Sequence, residues 1–165
     1  MADTLAYRRP GVVLLLGLVT FGVYDLVWLR STLLDAADAT GRRARLGLWW
    51  LLLLLYVLLA FAPLVYLDQT VRSRTQEGYL TNLQPLFYIA LALAALYLVA
   101  RGLALWSAAR RLRELQGLVG EQPSVPPALH LVAIVLPLWA PVGMATLQHD
   151  LNRVALGPSL MDEPA

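Results

Sequence analysis

The chain has 165 residues, of which 59% are hydrophobic and only 15% charged, with a mean hydropathy of +0.62. Soluble domains are about half apolar and roughly a quarter charged, so this excess, gathered into long runs, points away from a soluble domain and towards an all-α integral membrane protein. The net charge is +2 and cysteine is absent, which excludes disulfides, thiolate catalysis and cysteine-based metal sites.

All 13 basic residues are arginine. Beside the abundant Leu, Ala, Gly and Pro, that usage reads as a high-GC coding bias of bacterial type rather than arginine chosen for bidentate contacts.

The N-terminus, "MADTLAYRRPGVVLLLGLVTFGV", has the basic-then-apolar order of a signal peptide. Its apolar run continues past signal length to Leu29 and ends in Arg30, and the small residues around Asp38 lie too far downstream for cleavage. Residues 11–29 are therefore expected to be the first of four hydrophobic helical segments in a single membrane domain, 1–165.

Thr20, Gly22 and Asp25 interrupt that first segment. Tyr24 and Trp28 are four apart and share a helix face, which suits anchoring at the headgroup level. An ionisable group inside a membrane segment is a functional candidate by default. Yet a carboxylate two or three residues after a break at Gly22 would also satisfy free amides and the helix dipole. Capping is the favoured reading of Asp25, and ion handling stays open beside it.

A polar connector carrying Arg42, Arg43 and Arg45 leads to the second segment, 46–67, with Trp49, Trp50, Tyr56 and Tyr66 placed for an aromatic belt. Pro63 is expected only to kink it. The third segment, 83–106, carries Arg101 near its end and continues as an amphipathic extension over 104–119. There Leu105, Ala108, Ala109, Leu112, Leu115 and Val119 oppose Arg110, Arg113 and Glu114. That extension fits either an anionic membrane surface or packing against its own neighbours.

Gly120, Pro123, Pro126 and Pro127 mark a linker over 120–127. The fourth segment, 128–147, is interrupted by Pro137, Pro141 and Gly143, and 157–165 reads as a frayed tail.

The arginines bear on topology. If all four segments cross, five arginines lie on one side and eight on the other. If the first and last are broken and re-entrant, only Arg72 and Arg74 face outward, and the division becomes eleven to two. The second arrangement satisfies the positive-inside rule far better, and it places both termini in the cytoplasm of a multi-pass inner-membrane protein. The basic clusters Arg42, Arg43, Arg45 and Arg110, Arg111, Arg113 abut membrane segments, so contact with anionic lipids accounts for them without nucleic acid.

The remaining reactive groups are sparse. His149 and Asp150 are adjacent and point about 100° apart on a helix, and His130 stands near the start of the fourth segment, where interfacial solvation suits it. Metal-binding helices use ligands at i and i+3 or i+4, and no histidine pair has that spacing. No nucleophile elbow or phosphate-cradling glycine loop occurs. The expectation is no enzyme, no metal and no cofactor.

The element Thr20-Phe21-Gly22-Val23-Tyr24, followed by Trp28, resembles the opening signature of the bacterial membrane family described as domain of unknown function 4234. The Gln-x-x-Leu-Asn ending of that family is similar to Gln148, Leu151 and Asn152 here, behind a proline-bearing segment. The resemblance would extend over nearly the whole chain and implies an architecture rather than an activity. The functional expectation is thus a non-catalytic membrane scaffold or interaction module that engages lipid. Alternatives are a small ion- or solute-conducting homo-oligomer using Asp25 and, more weakly, a lipid-modifying enzyme. The partners implied are the bilayer and a second copy or another membrane protein.

Overall fold

A computed structural model describes residues 8–20, 22–41, 43, 46–73, 79–120, 125–137 and 139–156. The described residues are all helix, turn or irregular, without strands. In chain order they form α1 (Pro10–Val19), α2 (Val23–Thr40), α3 (Gly47–Ser73), α4 (Tyr79–Val119), a 3-10 segment (Pro127–Ile134) and α5 (Trp139–Leu156). Arg42 and Arg45, and the tail 157–165, lie outside the described residues.

The first hydrophobic segment is broken where Thr20 and Gly22 interrupt it. Gly22 has φ 97°, a left-handed conformation that side chains disfavour. The Thr20 hydroxyl donates to Leu16 O (2.7 Å) and accepts from Tyr24 N–H (3.0 Å), so one side chain serves the end of α1 and the start of α2. The two helices fold back on each other: Arg8 meets Ser31, and Gly17 faces Asp25.

The last hydrophobic segment is broken too. Pro126 and Pro127 open the 3-10 segment, a turn follows at 135–137, and α5 begins at Trp139. An eight-residue 3-10 run is longer than usual. It lies against α4 at Gly102, where Ile134 fills the space a side chain would need.

Among the described residues, helices α3 and α4 are the two that are long and apolar enough to cross a membrane, over Gly47–Gln69 and Gln84–Leu118. Pro63 and Pro85 lie within them without ending either helix. In each helix an apolar stretch of 18 residues is only 11% buried inside the molecule. The remaining elements gather around the start of α3 and the second half of α4. Trp28, Leu29, Leu52, Leu105, Met144 and Leu151 form the centre of that core.

The amphipathic extension is part of α4 itself. Its apolar face, including Leu105, Ala108, Ala109 and Leu112, is buried in the core, and Leu115 packs with Ala36 and Ala39 of α2. Of the two readings, packing against neighbours is the one observed. Arg110, Arg113 and Glu114 remain exposed opposite, as the periodicity requires.

Gly102→Val should push the 3-10 segment off α4 and destabilise the protein by about 1–3 kcal/mol, the usual cost of overpacking. Thermal unfolding in detergent would read this as a lowered midpoint. Gly47→Ala, where nothing lies within 4 Å of the added carbon, should leave the midpoint unchanged.

Candidate functional site

The breaks in the first and last segments meet at one place. Asp25, in the first turn of α2, is buried, and its Oδ2 accepts from Nη2 of Arg101 on α4. The other guanidinium nitrogen, Nη1, donates to Pro137 O in the second break at 3.4 Å. One arginine thereby joins both turns.

Glycines allow the approach. A carbon added at Gly17 would lie 2.9 Å from Met144 and 3.4 Å from Asp25 Oδ1, and one at Gly22 would lie 2.9 Å from the Tyr97 hydroxyl. A void of about 10 Å³, bordered by Asp25, Leu52, Tyr97, Arg101 and Met144, lies beside the pair. That is about the room one water occupies.

Asp25 thus stands in the helix turn expected of a cap, but its carboxylate binds Arg101 and the capping hydroxyl is Thr20's. Helical spacing alone does not pair Arg101 with Asp25. The available signal was charge balance, since a carboxylate in one apolar segment calls for a cation in another.

A second polar arrangement runs from the same element towards the other end of the bundle. Trp28 is fully buried, and its Nε1–H donates to Gln148 Oε1 at 2.8 Å. Gln148 Nε2 donates to Asn152 Oδ1 at 2.9 Å, and Asn152 Nδ2 donates to the Arg8 carbonyl at 2.7 Å. The Arg8 guanidinium in turn donates to Ser31 Oγ at 2.8 Å, and Ser31 Oγ donates to Trp28 O at 2.8 Å. The chain of bonds returns to its starting residue and locks α1, α2 and α5 together.

The surface-anchor reading of Trp28 is therefore corrected: its indole is an interior donor with a buried acceptor. Tyr24 is half-buried and packs against the core. The Trp49 Nε1–H donates to Leu26 O at 2.8 Å, and the Arg30 guanidinium carbon lies 5.7 Å from its ring centroid.

His130 is also corrected. It is buried rather than solvated, because the 3-10 segment turns it inward, where Nδ1 lies 2.9 Å from the position of a carbon added at Gly143. The neighbouring Trp139 Nε1 faces the same glycine. His149 is exposed and Asp150 buried, so the adjacent pair diverges as expected. Among the described residues no three acidic or histidine groups gather as metal ligands. Arg43, Arg110 and Arg113 are exposed and Arg111 half-buried; none joins the interior site.

A family model described as Domain of unknown function (DUF4234) matches residues 8–114. It takes in the whole of the Thr20-to-Trp28 element and Arg101. It stops short of Gln148 and Asn152, so the likeness covers less of the chain than the resemblance suggested. No curated protein and no solved structure matches the chain.

Replacing one member of a buried ion pair strands the other charge. Asp25→Asn or Arg101→Gln should each destabilise by about 3–5 kcal/mol in thermal unfolding, whereas Asp25→Leu with Arg101→Met should recover most of the loss. Trp28→Phe removes the buried indole N–H donated to Gln148 Oε1 and should cost about 1–3 kcal/mol in the same measurement.

Proposed function

The chain belongs to the DUF4234 family, and on that premise we propose that it is a non-catalytic, lipid-engaging scaffold or interaction module embedded in a membrane. In this arrangement α3 and α4 cross the bilayer. The broken first and last segments enter from one face and return to it.

The observation that carries the reading is where the two breaks lie along α3 and α4. Gly22 faces Tyr56 and Tyr97, and Asp25 and Pro137 meet Arg101. Tyr56 is nine residues into the apolar window that opens at Gly47, about 13 Å at 1.5 Å per residue. The hydrocarbon core is about 30 Å thick, so the turns stop near its middle. Non-helical backbone at that depth needs protein around it, and α3 and α4 supply it.

The arginines fit the same orientation. Arg8, Arg30, Arg43, Arg110, Arg111 and Arg113 all belong to the end of the bundle where α3 begins and α4 finishes, while Arg72 is at the far end of α3. By the positive-inside rule the first end is cytoplasmic.

The interior polar groups support a structural module over a conducting one. Asp25 is committed to Arg101, and Trp28, Gln148 and Asn152 are committed to one another and to Arg8.

Single cysteines at Arg9, Gly41 and Gln69, labelled in intact cells with an impermeant maleimide, test the topology. Arg9→Cys and Gly41→Cys should be protected together and Gln69→Cys labelled. Labelling of the first two from opposite sides would rule out the re-entrant arrangement. Reconstituted wild-type protein should carry no ion flux above empty vesicles; flux abolished by Asp25→Asn would replace the scaffold with a conducting oligomer.

A further inference from the structure

One stripe of α4 serves neither the ion pair nor the chain of amide bonds. Leu96, Val99, Leu103, Trp106, Arg110 and Arg113 recur at steps of three and four, so they share a helix face. The three apolar members are 57%, 42% and 37% exposed, and both arginines are exposed. Along the helix the order is apolar, then aromatic, then cationic. A phospholipid has the matching order: acyl chain, glycerol region, phosphate.

The cationic end is shaped as well as charged. A groove of about 520 Å³ lies between α4 and the opening of the 3-10 segment, lined by Trp106, Arg110, Arg113, Glu114, Pro126 and Pro127. The Arg110 guanidinium carbon lies 5.1 Å from the Trp106 ring centroid, within the range at which an aromatic face attracts a cation. Tryptophan at this level suits the membrane interface. Two proline nitrogens in the lining carry no proton, so the guanidinium groups are its cationic donors.

Charge narrows the ligand. Two arginines and one glutamate give the lining a net charge of +1. A phosphomonoester carries about −1.5 to −2 at neutral pH, more than that lining matches, whereas a phosphodiester carries a single charge. The geometry points to a binding site for a membrane phospholipid with a singly anionic phosphodiester headgroup. Its phosphate lies between Arg110 and Arg113 and its acyl chains run along Leu103, Val99 and Leu96. The apolar half of the stripe selects a lipid over a free phosphodiester. This site rests on the membrane placement proposed above.

Native mass spectrometry of the full chain in detergent, titrated with phosphatidylglycerol, phosphatidylethanolamine or water-soluble glycerophosphoglycerol, tests it. Phosphatidylglycerol should be retained at least about fivefold better than phosphatidylethanolamine, the effect of one arginine's worth of surface attraction. The Arg110→Ala/Arg113→Ala variant should retain it about thirtyfold less, with Arg111→Ala within twofold of wild type.

Equal retention by the double variant, or a preference for phosphatidylethanolamine, overturns the site. So does displacement of the lipid by glycerophosphoglycerol at equal concentration, which would make the ligand a soluble phosphodiester. Alkaline carbonate extraction separates the two levels of failure. A protein that stays in membranes but shows no lipid preference lacks the site alone, and one released into the supernatant loses the membrane placement too.

Discussion

The fold depends on one buried ion pair. Asp25 and Arg101 have side chains only 8% and 13% exposed, and charges so far from water are tolerated only when paired. Asp25 comes in the first turn of α2, immediately after the left-handed Gly22. Arg101 stands well along α4 and also reaches the carbonyl of Pro137. The pair therefore sets how far the α1–α2 turn penetrates along α4, and the second guanidinium nitrogen sets the same limit for the turn before α5. Slide either turn by one helical step and either the buried Asp25 carboxylate or the Pro137 carbonyl loses its partner.

Glycines make that geometry attainable, and amide bonds hold it at a second point. Gly17 lets α5 and the carboxylate approach α1, Gly22 admits the Tyr97 hydroxyl, and Gly102 receives Ile134. Six residues beyond Asp25, Ser31 meets Arg8, so the bonds joining Trp28, Gln148, Asn152 and Arg8 close about one and a half helical turns from the ion pair. An ion pair alone is a pivot. The second tether removes the remaining rotation and fixes which face of α5 turns inward.

Much of this architecture was legible because it rests on local backbone chemistry. Thr20 and Gly22 marked the first break, Pro137 stood at the second, and the apolar spacing from Leu105 to Leu115 identified the buried face of α4. What was not legible was pairing across elements. Periodicity gives a residue's position along a helix and its face, not which other helix lies opposite. Local spacing thus suggests a cap for Asp25, with ion handling beside it, and gives Arg101 no partner, although each is explained by the other. Trp28 misled for a related reason. Tryptophan in an apolar segment suits an interface, and only the position of Gln148, 120 residues later, makes it an interior donor. His130 went astray because a proline-led 3-10 segment turns its side chains by a different step from the α-helix assumed for it.

The same constraint explains the asymmetry of the molecule. The ion pair and the tyrosines Tyr56 and Tyr97 mark the furthest reach of the two broken segments. Beyond them α3 and α4 pack only on each other among the described residues, leaving a groove of about 650 Å³ lined by residues such as Leu58, Phe61, Phe87 and Leu93. If α3 and α4 cross a bilayer as proposed, one leaflet meets a bundle built from every element and the other meets a two-helix hairpin. The polar interior, the arginines beside Trp49 and Trp106, and the groove at Pro126 then all belong to the wider half. Breaking the first and last helices is what allows this. A segment that crossed completely would have to carry Asp25 away from Arg101, or the Pro137 carbonyl away from the guanidinium that reaches it.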